Sequence, residues 1–177
     1  GTARLRVTAM YTDDTSYNFN LTLDTGNIST WEKMELAFSP EKNYNSLLIY
    51  LMMDNTSNVL YLDDISLTKD GGPELLENTS FELNLPFKWN YSNNLVATEG
   101  KELTIKHGGE VSWRFDCNGN AKYIRMKYNA GGYVGDPFSA SLWRMGTGLP
   151  ETGYARLRIT FLNTDATNTN KNIDLMS

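Results

Sequence analysis

The chain has 177 residues, enough for a core of ordinary domain size, and its 16 Lys and Arg against 21 Asp and Glu give a net charge of −5. This balance argues against a nucleic-acid-binding protein, which needs a basic surface. The longest apolar run, 47–53 (LLIYLMM), has seven residues, far fewer than the ~20 that span a bilayer, so no membrane insertion is expected. A single Cys117 and a single His107 exclude an internal disulfide, a thiolate cluster and a two-histidine zinc site.

Short runs of alternating polar and apolar residues recur along the chain, and they are bounded by Asn, Asp, Gly and Pro. Such runs predict strands and turns, and no segment has the period of a helix. Many short strands at this spacing are typical of an antiparallel sandwich or barrel, so the predicted fold class is all-β. In chain order, the predicted strands are 3–11, 31–38, 45–53, 58–67, 102–106, 111–115, 122–128, 137–145 and 154–162.

An internal repeat joins the two ends of the chain. Residues 3–8 (ARLRVT) recur as 155–160 (ARLRIT), an offset of 152, and eleven of the 23 positions in 3–25 are identical in 155–177. The chain therefore contains one repeat period of 152 residues followed by a second copy of its first 25.

The segment 71–73 (GGP) is predicted to be a linker, because Gly and Pro interrupt regular structure there. Residues 1–70 then form the C-terminal half of one sandwich module, and 74–177 form the N-terminal part of the next. Each half alone would expose unpaired strand edges. Two arrangements avoid this exposure: the chain folds as a circular permutant, or neighbouring chains complete one another by strand exchange.

Two stretches resemble a known group of modules. Residues 77–82 (ENTSFE) followed by Trp89 resemble the opening of carbohydrate-binding modules of families 4, 9, 16 and 22, and 61–67 (YLDDISL) is similar to their closing strand. Between these two lie 107–109 (HGG), 138–143 (FSASLW) and 155–158 (ARLR), and all five motifs fall in the family's order if the chain is read from 74 to 177 and then from 26 to 70. The resemblance implies a two-sheet jelly-roll β-sandwich, polysaccharide binding, an extracellular or cell-surface location and a structural Ca²⁺.

Asp63 and Glu82 are the candidate calcium ligands. By strand alternation, Asp63 shares a face with Tyr61, Ile65 and Leu67, and a carboxylate on an apolar face must be hydrogen-bonded, neutralised or bound to a cation. Glu82 comes close to it if the first and last strands of the module are adjacent. Oxygen donors of this kind suit Ca²⁺. The alternative is that Asp63 only accepts hydrogen bonds from backbone N–H groups.

Aromatic residues are the candidate sugar-stacking groups, since indole and phenol rings stack on the C–H faces of sugars. Trp89 and Tyr91 lie in an Asn-rich stretch, and Trp143 alternates with serines on a strand, so each is a candidate for stacking or, alternatively, for packing. Trp31 and Trp113 are expected in the core.

Tyr123 and Arg125 occupy outward phases of a predicted strand, as do Arg156 and Arg158. They could donate hydrogen bonds to sugar hydroxyls or form an ordinary solvated face.

The sequence predicts no enzyme. Asp13 with Asp14 and Asp63 with Asp64 are adjacent on strands and point to opposite faces, so neither pair can flank one glycosidic bond. The predicted function is a non-catalytic, carbohydrate-binding-module-like repeat of an extracellular protein that binds polysaccharide by aromatic stacking. The alternative is a structural repeat of a surface layer or filament, which assembles with copies of itself by stacking or strand exchange.

Overall fold

The protein, described by a computed structural model, consists of strands and connecting loops, with no helix in the part of the chain that the structure describes. The described residues are 2–11, 14–22, 26–54, 59–83, 88–92, 95–116, 122–149, 157–158, 162–164 and 168–170. In chain order the strands are β1 (Thr2–Tyr11), β2 (Asp14–Thr22), β3 (Gly26–Phe38), β4 (Tyr44–Asp54), β5 (Val59–Lys69), β6 (Asn90–Tyr91), β7 (Gly100–Glu102), β8 (Ser112–Asp116), β9 (Lys122–Tyr128), β10 (Phe138–Leu149), β11 (Leu157–Arg158), β12 (Leu162–Thr164) and β13 (Asn168–Asn170). Within these ranges nothing helical could cross a membrane. The all-β prediction is confirmed.

The strands form two sheets. Sheet A has the order β11-β2-β1-β4-β9-β6, with β12 and β13 also paired to β2, and sheet B has the order β3-β10-β5-β8-β7. Neighbouring strands are antiparallel, apart from the parallel pairing of β13 with β2. The predicted two-sheet β-sandwich is confirmed.

One apolar core lies between the sheets, because alternate residues of every long strand turn inward. Phe19 of sheet A lies 4.5 Å from Phe38 of sheet B, measured between ring centroids, and Phe38 stacks on Phe138 at 5.3 Å. The other inward residues include Val7, Ala9, Leu47, Ile49, Leu51 and Ile124 from sheet A, and Leu36, Leu60, Leu62, Ile65, Trp113, Phe115 and Leu142 from sheet B. The remaining alternate positions of sheet A form its outer face.

Strands from before and after the 71–73 segment share both sheets. In sheet B, β10 lies between β3 and β5, and in sheet A, β4 pairs with β9. The two parts of the chain thus pack together as they would in a circularly permuted sandwich. The division into modules at 71–73 stays a prediction.

The observed strands differ from the predicted ones at several places, and the short strands β6 and β13 were not among the predicted ranges. The sequence patterns miss β2, because its outer positions hold Ser and Asn, which resemble a loop. The strand predicted over 102–106 is wrong beyond Glu102, where β7 ends and 103–110 forms a loop. Of the strand predicted over 154–162, the described parts are β11 and the first residue of β12.

A β-bulge interrupts the pairing of β5 with β10. Asp64 and Ile65 together oppose the single residue Leu142, and Asp64 has a φ of 45°. The extra residue shifts the alternation, so that Leu62 and Ile65 are both buried in the core while Asp63 lies on the outer side of sheet B. The prediction that Asp63 shares a face with Ile65 is therefore wrong.

Candidate functional site

The outer face of sheet A carries a row of aromatic and cationic residues. Arg6 of β1 pairs with Tyr50 of β4, Tyr50 with Arg125 of β9, and Arg125 with Asn90 of β6. Directly opposite residues of neighbouring strands project to the same side of a sheet, so these side chains lie side by side. Tyr123 projects to the same side, two residues before Arg125. We call Arg6, Tyr50, Tyr123 and Arg125 the sheet A platform.

Ring and guanidinium contacts join the four members of the platform. Tyr50 and Tyr123 meet edge to face, with ring centroids 5.7 Å apart and an interplanar angle of 72°. The Arg125 guanidinium lies 5.9 Å from the Tyr50 centroid and 5.7 Å from the Tyr123 centroid, and its Nη1 donates a hydrogen bond of 3.3 Å to the Tyr50 hydroxyl. The Arg6 guanidinium lies 5.9 Å from the Tyr50 ring. These cation–π and edge-to-face contacts orient the side chains.

Charge and exposure make the platform accessible to a polar ligand. The hydrogen bond to the Tyr50 hydroxyl raises the pKa of Arg125 above its usual value, so the guanidinium is a cation at any physiological pH. Arg6, Tyr50, Tyr123 and Arg125 are all partly exposed. The platform therefore presents aromatic rings and N–H donors on one face.

The position of the platform follows from the alternation of β4 and β9. On β4, Ile49 and Leu51 are buried in the core, so Tyr50 between them must point outward. On β9, Ile124 and Met126 are buried, so Arg125 points outward in the same way.

Of the predicted sugar-binding residues, Tyr123 and Arg125 are brought together and Tyr91 is not. Tyr91 is 48% exposed, but it lies opposite Ile124 in the ladder, on the core side of the edge strand β6. Its ring is thus separated from the platform by the sheet.

Trp89 lies in the core and is completely buried. Its ring packs against Phe81 with centroids 5.7 Å apart, and its Nε1 donates a hydrogen bond of 3.2 Å to the carbonyl oxygen of Asn78. A ring enclosed in this way has no free face, so the prediction of Trp89 as a stacking residue is wrong.

Trp143 lies on the outer side of sheet B, where the 103–110 loop covers it. The His107 ring stacks on Trp143 at 3.8 Å between centroids and 16° between planes, and Nδ1 of His107 lies 2.7 Å from Oδ2 of Asp64. Trp31 contacts the edge of His107 and is partly exposed, so its predicted core position is wrong, whereas that of Trp113 is confirmed. One face of Trp143 is therefore already occupied.

Asp63 and Glu82 both hold the backbone of the 107–111 segment. Asp63 is completely buried: its Oδ1 accepts the N–H of Asp64 at 2.8 Å, and its Oδ2 accepts the N–H groups of His107 at 2.9 Å and Gly108 at 3.1 Å. Burial raises the pKa of Asp63, while these N–H donors act in the opposite direction.

Glu82 plays a matching role in the same loop. Its Oε1 accepts the N–H groups of Glu110 at 2.8 Å and Val111 at 3.3 Å. A Cβ on Gly109 would come within 2.0 Å of that oxygen, so the carboxylate requires a glycine there.

The oxygens of Asp63 and Oε1 of Glu82 thus face N–H donors, which does not fit a calcium ion bound between them. The same donors favour the alternative role for Asp63, in which it caps backbone N–H groups. In the described residues, no group of three or more His, Cys, Asp or Glu side chains is placed to hold a metal ion. Calcium binding stays a prediction.

Comparison with known proteins finds no matching family model, no matching curated protein and no matching solved structure. The resemblance to carbohydrate-binding modules also stays a prediction.

The sequence patterns miss two platform residues and one loop residue. Tyr50 is hidden inside the apolar run 47–53, although it is the one residue there with a hydroxyl group. Arg6 could have been found by the same alternation that selected its copy, Arg158. The contact of His107 with Trp143 joins residues 36 positions apart and leaves no signal in the sequence.

Proposed function

We propose that this chain is a non-catalytic, carbohydrate-binding-module-like repeat of an extracellular or cell-surface protein, and that it binds polysaccharide on the outer face of sheet A. The observation that carries the proposal is the platform: two tyrosine rings and two guanidinium groups lie together, partly exposed, on the face opposite the core.

The chemistry of the platform suits a sugar polymer. The rings of Tyr50 and Tyr123 can stack on pyranose C–H faces, and the N–H groups of Arg6 and Arg125 can donate to ring hydroxyls. Because the strands beneath them are paired on both sides, the side chains are positioned before the ligand arrives, which lowers the entropic cost of binding. Two partly exposed rings predict weak binding per site.

The proposal is for a binding site and not for a hydrolytic one. In the described strand segments 6–10, 16–22, 46–52 and 122–128 of sheet A there is no Asp or Glu, so these segments offer no pair of carboxyl groups to flank a glycosidic bond.

Affinity gel electrophoresis against a panel of soluble glucans, xylans, mannans and uronate polymers tests the proposal. We expect at least one polymer to slow the chain, and Tyr123→Ala to abolish this retardation. Tyr91→Ala is the matched control, because Tyr91 is also exposed but lies on the other side of sheet A. Melting curves establish that both variants fold. Retardation by no polymer, or equal behaviour of the two variants, would overturn the proposal.

Self-assembly is the second candidate function, and the register at β2 favours it. β11 pairs with the outer edge of β2 through Leu157–Leu21 and Arg158–Asn20, while β1 pairs with the inner edge through Leu5–Leu21 and Arg6–Asn20. Leu157 and Arg158 are the copies of Leu5 and Arg6 at the offset of 152. The edge of β2 thus accepts a copy of β1 in the register of β1 itself.

The second copy of the repeat, 155–177, differs from the first copy, 3–25, at positions that are buried in the β1–β2 hairpin. Tyr11, Tyr17 and Phe19, all buried, have Asn163, Thr169 and Lys171 as their counterparts in the sequence. A lysine in place of Phe19 would be costly in the core. We therefore expect assembly by addition of a strand at the edge of β2, with the β1–β2 hairpin kept in place.

Light scattering over a range of concentrations tests this second candidate. The mass should grow with concentration for the full chain and stop growing when proline replaces Leu157 and removes a backbone N–H from β11. A monomer at every concentration would contradict self-assembly and leave the polysaccharide proposal untouched.

A further inference from the structure

The outer face of sheet A is basic, although the chain as a whole is acidic. The chain has 21 Asp and Glu against 16 Lys and Arg, yet the central segments 4–10, 16–22, 46–52 and 122–128 of sheet A contain no acidic residue. The same segments contain Arg4, Arg6, Lys122, Arg125 and Lys127. The net charge therefore conceals a group of cationic residues in the central part of sheet A, although Asp14 and Asp54 lie at the ends of β2 and β4.

Most of these cations belong to the outer face by register. Arg6 pairs with Tyr50, at an outward position of β4, and Lys127 follows Arg125 by two residues and is exposed. Lys122 is the exception, since it is completely buried and paired with Glu99. The cationic residues are thus collected around the platform.

Several acidic groups lie around sheet B, where cationic partners accompany some of them. Asp63, Asp64 and Glu82 hold the loop that covers sheet B, while Glu102 and Asp116 lie on β7 and β8 and pair with Arg114. No carboxylate among the described residues pairs with Arg125, whose contacts are the rings of Tyr50 and Tyr123 and the Tyr50 hydroxyl. Its charge is therefore available to a ligand.

The row of paired positions crosses most of sheet A. Arg6 of β1, Tyr50 of β4, Arg125 of β9 and Asn90 of β6 follow one another across four neighbouring strands, or about 14 Å at the usual strand spacing. An extended chain laid across these strands would meet an arginine at two of the four positions.

We infer that the ligand of this face is an acidic polysaccharide, whose carboxylate or sulfate groups pair with Arg6 and Arg125 while its sugar rings contact Tyr50 and Tyr123. This inference rests on the proposed function and adds the charge class of its ligand. A guanidinium group matches a planar carboxylate with two parallel hydrogen bonds, which a hydroxyl cannot reproduce. The net charge of −5 opposes general attraction to a polyanion, so the inference depends on these specific contacts.

Matched pairs of polymers test the inference with the full chain. Polygalacturonate is compared with its fully methyl-esterified form, and dextran sulfate with dextran, by isothermal titration calorimetry at low and high salt. We expect one acidic member to bind, its neutral partner to bind at least about tenfold more weakly, and the acidic complex to weaken as salt is added. Binding of polygalacturonate would indicate that the site recognises carboxylate groups, and binding of dextran sulfate would indicate that it recognises sulfate groups.

A variant of Arg125 and a matched lysine control distinguish a specific contact with the ligand from attraction by overall charge. Arg125→Gln should weaken binding to the acidic polymer by about tenfold, because one charged hydrogen-bond partner is lost. Lys33→Gln is the control: it removes the same charge from an exposed side chain of sheet B and should leave binding unchanged.

The outcomes distinguish the inference from the proposed function. If a neutral polymer binds as tightly as its acidic partner, and Tyr123→Ala abolishes that binding, the inference of an acidic ligand is overturned but the proposed polysaccharide site is kept. Equal losses in Arg125→Gln and Lys33→Gln would also overturn it, since they would indicate attraction by overall charge. Binding of no polymer would overturn both.

Discussion

Replacement of Asp63 by alanine should release the 107–111 segment from sheet B. Asp63 is completely buried, and its carboxylate accepts three backbone N–H groups, from Asp64, His107 and Gly108, at 2.8 to 3.1 Å. The variant leaves all three donors without this acceptor. Because His107 stacks on Trp143, the environment of that indole should change at the same time.

The magnitude follows from these bonds. A hydrogen bond to a charged group contributes about 1.5 to 3 kcal/mol, and the cost of burying the carboxylate, which also raises the pKa of Asp63, offsets a large part of the sum. We expect a net loss of about 3 kcal/mol in the free energy of unfolding. For a chain of this size that corresponds to a fall in Tm of about 6 to 12 °C.

Urea unfolding followed by tryptophan fluorescence measures this loss. Glu35→Gln is the control, since Glu35 is an exposed carboxylate of sheet B that pairs with Lys33, and its loss should cost less than about 0.5 kcal/mol. A cost of that small size for Asp63→Ala would refute the reasoning. Chelation distinguishes the calcium prediction: it should leave the wild-type Tm unchanged if Asp63 only caps N–H groups, and lower it if calcium is bound.

Two further changes test the buried ionic contacts. Lys122→Met should cost about 3 to 5 kcal/mol in urea unfolding, because the buried carboxylate of Glu99 loses the ammonium group 2.7 Å away; a cost under 1 kcal/mol would contradict this. Burial raises the pKa of Asp136, but hydrogen bonds from Lys69, Tyr133 and Tyr44 outweigh it and lower that pKa overall. A lowered folded-state pKa contributes stability above the unfolded value of about 3.9 that is lost as the pH falls through the folded one. The Tm gap between wild type and Asp136→Asn should therefore narrow in acid, and a constant gap from pH 7 to pH 2 would contradict it.

Much of the fold could be predicted because the signal of a half-buried strand is local. The alternation in β4 and β9 places Ile49 and Ile124 in the core from the sequence alone, and the same alternation selects Tyr123 and Arg125 as outward residues. The sequence patterns miss β2 for a local reason too: its Asn residues have low strand propensity, although Tyr17 and Phe19 alternate with them.

The rest depends on contacts between distant residues. The bulge at Asp64 inverts the alternation of β5, and it coincides with hydrogen bonds to Ser80 and His107, far away in sequence. Trp89 resembles an exposed loop residue in the sequence, but the chain folds back to bury it against Phe81. The sheet A platform likewise depends on the pairing of β4 with β9, which places Tyr50 beside Arg125, a residue 75 positions later in the chain.

The most direct test of the sheet A site is a two-dimensional NMR titration of the isotope-labelled chain with oligosaccharides cut from the polysaccharides of the panel. The account predicts that one acidic oligosaccharide shifts the signals of Arg6, Tyr50, Tyr123 and Arg125 together and leaves those of Tyr91 unchanged. Shifts confined to Trp143 and the 103–110 loop, or no shifts with any oligosaccharide, would contradict it.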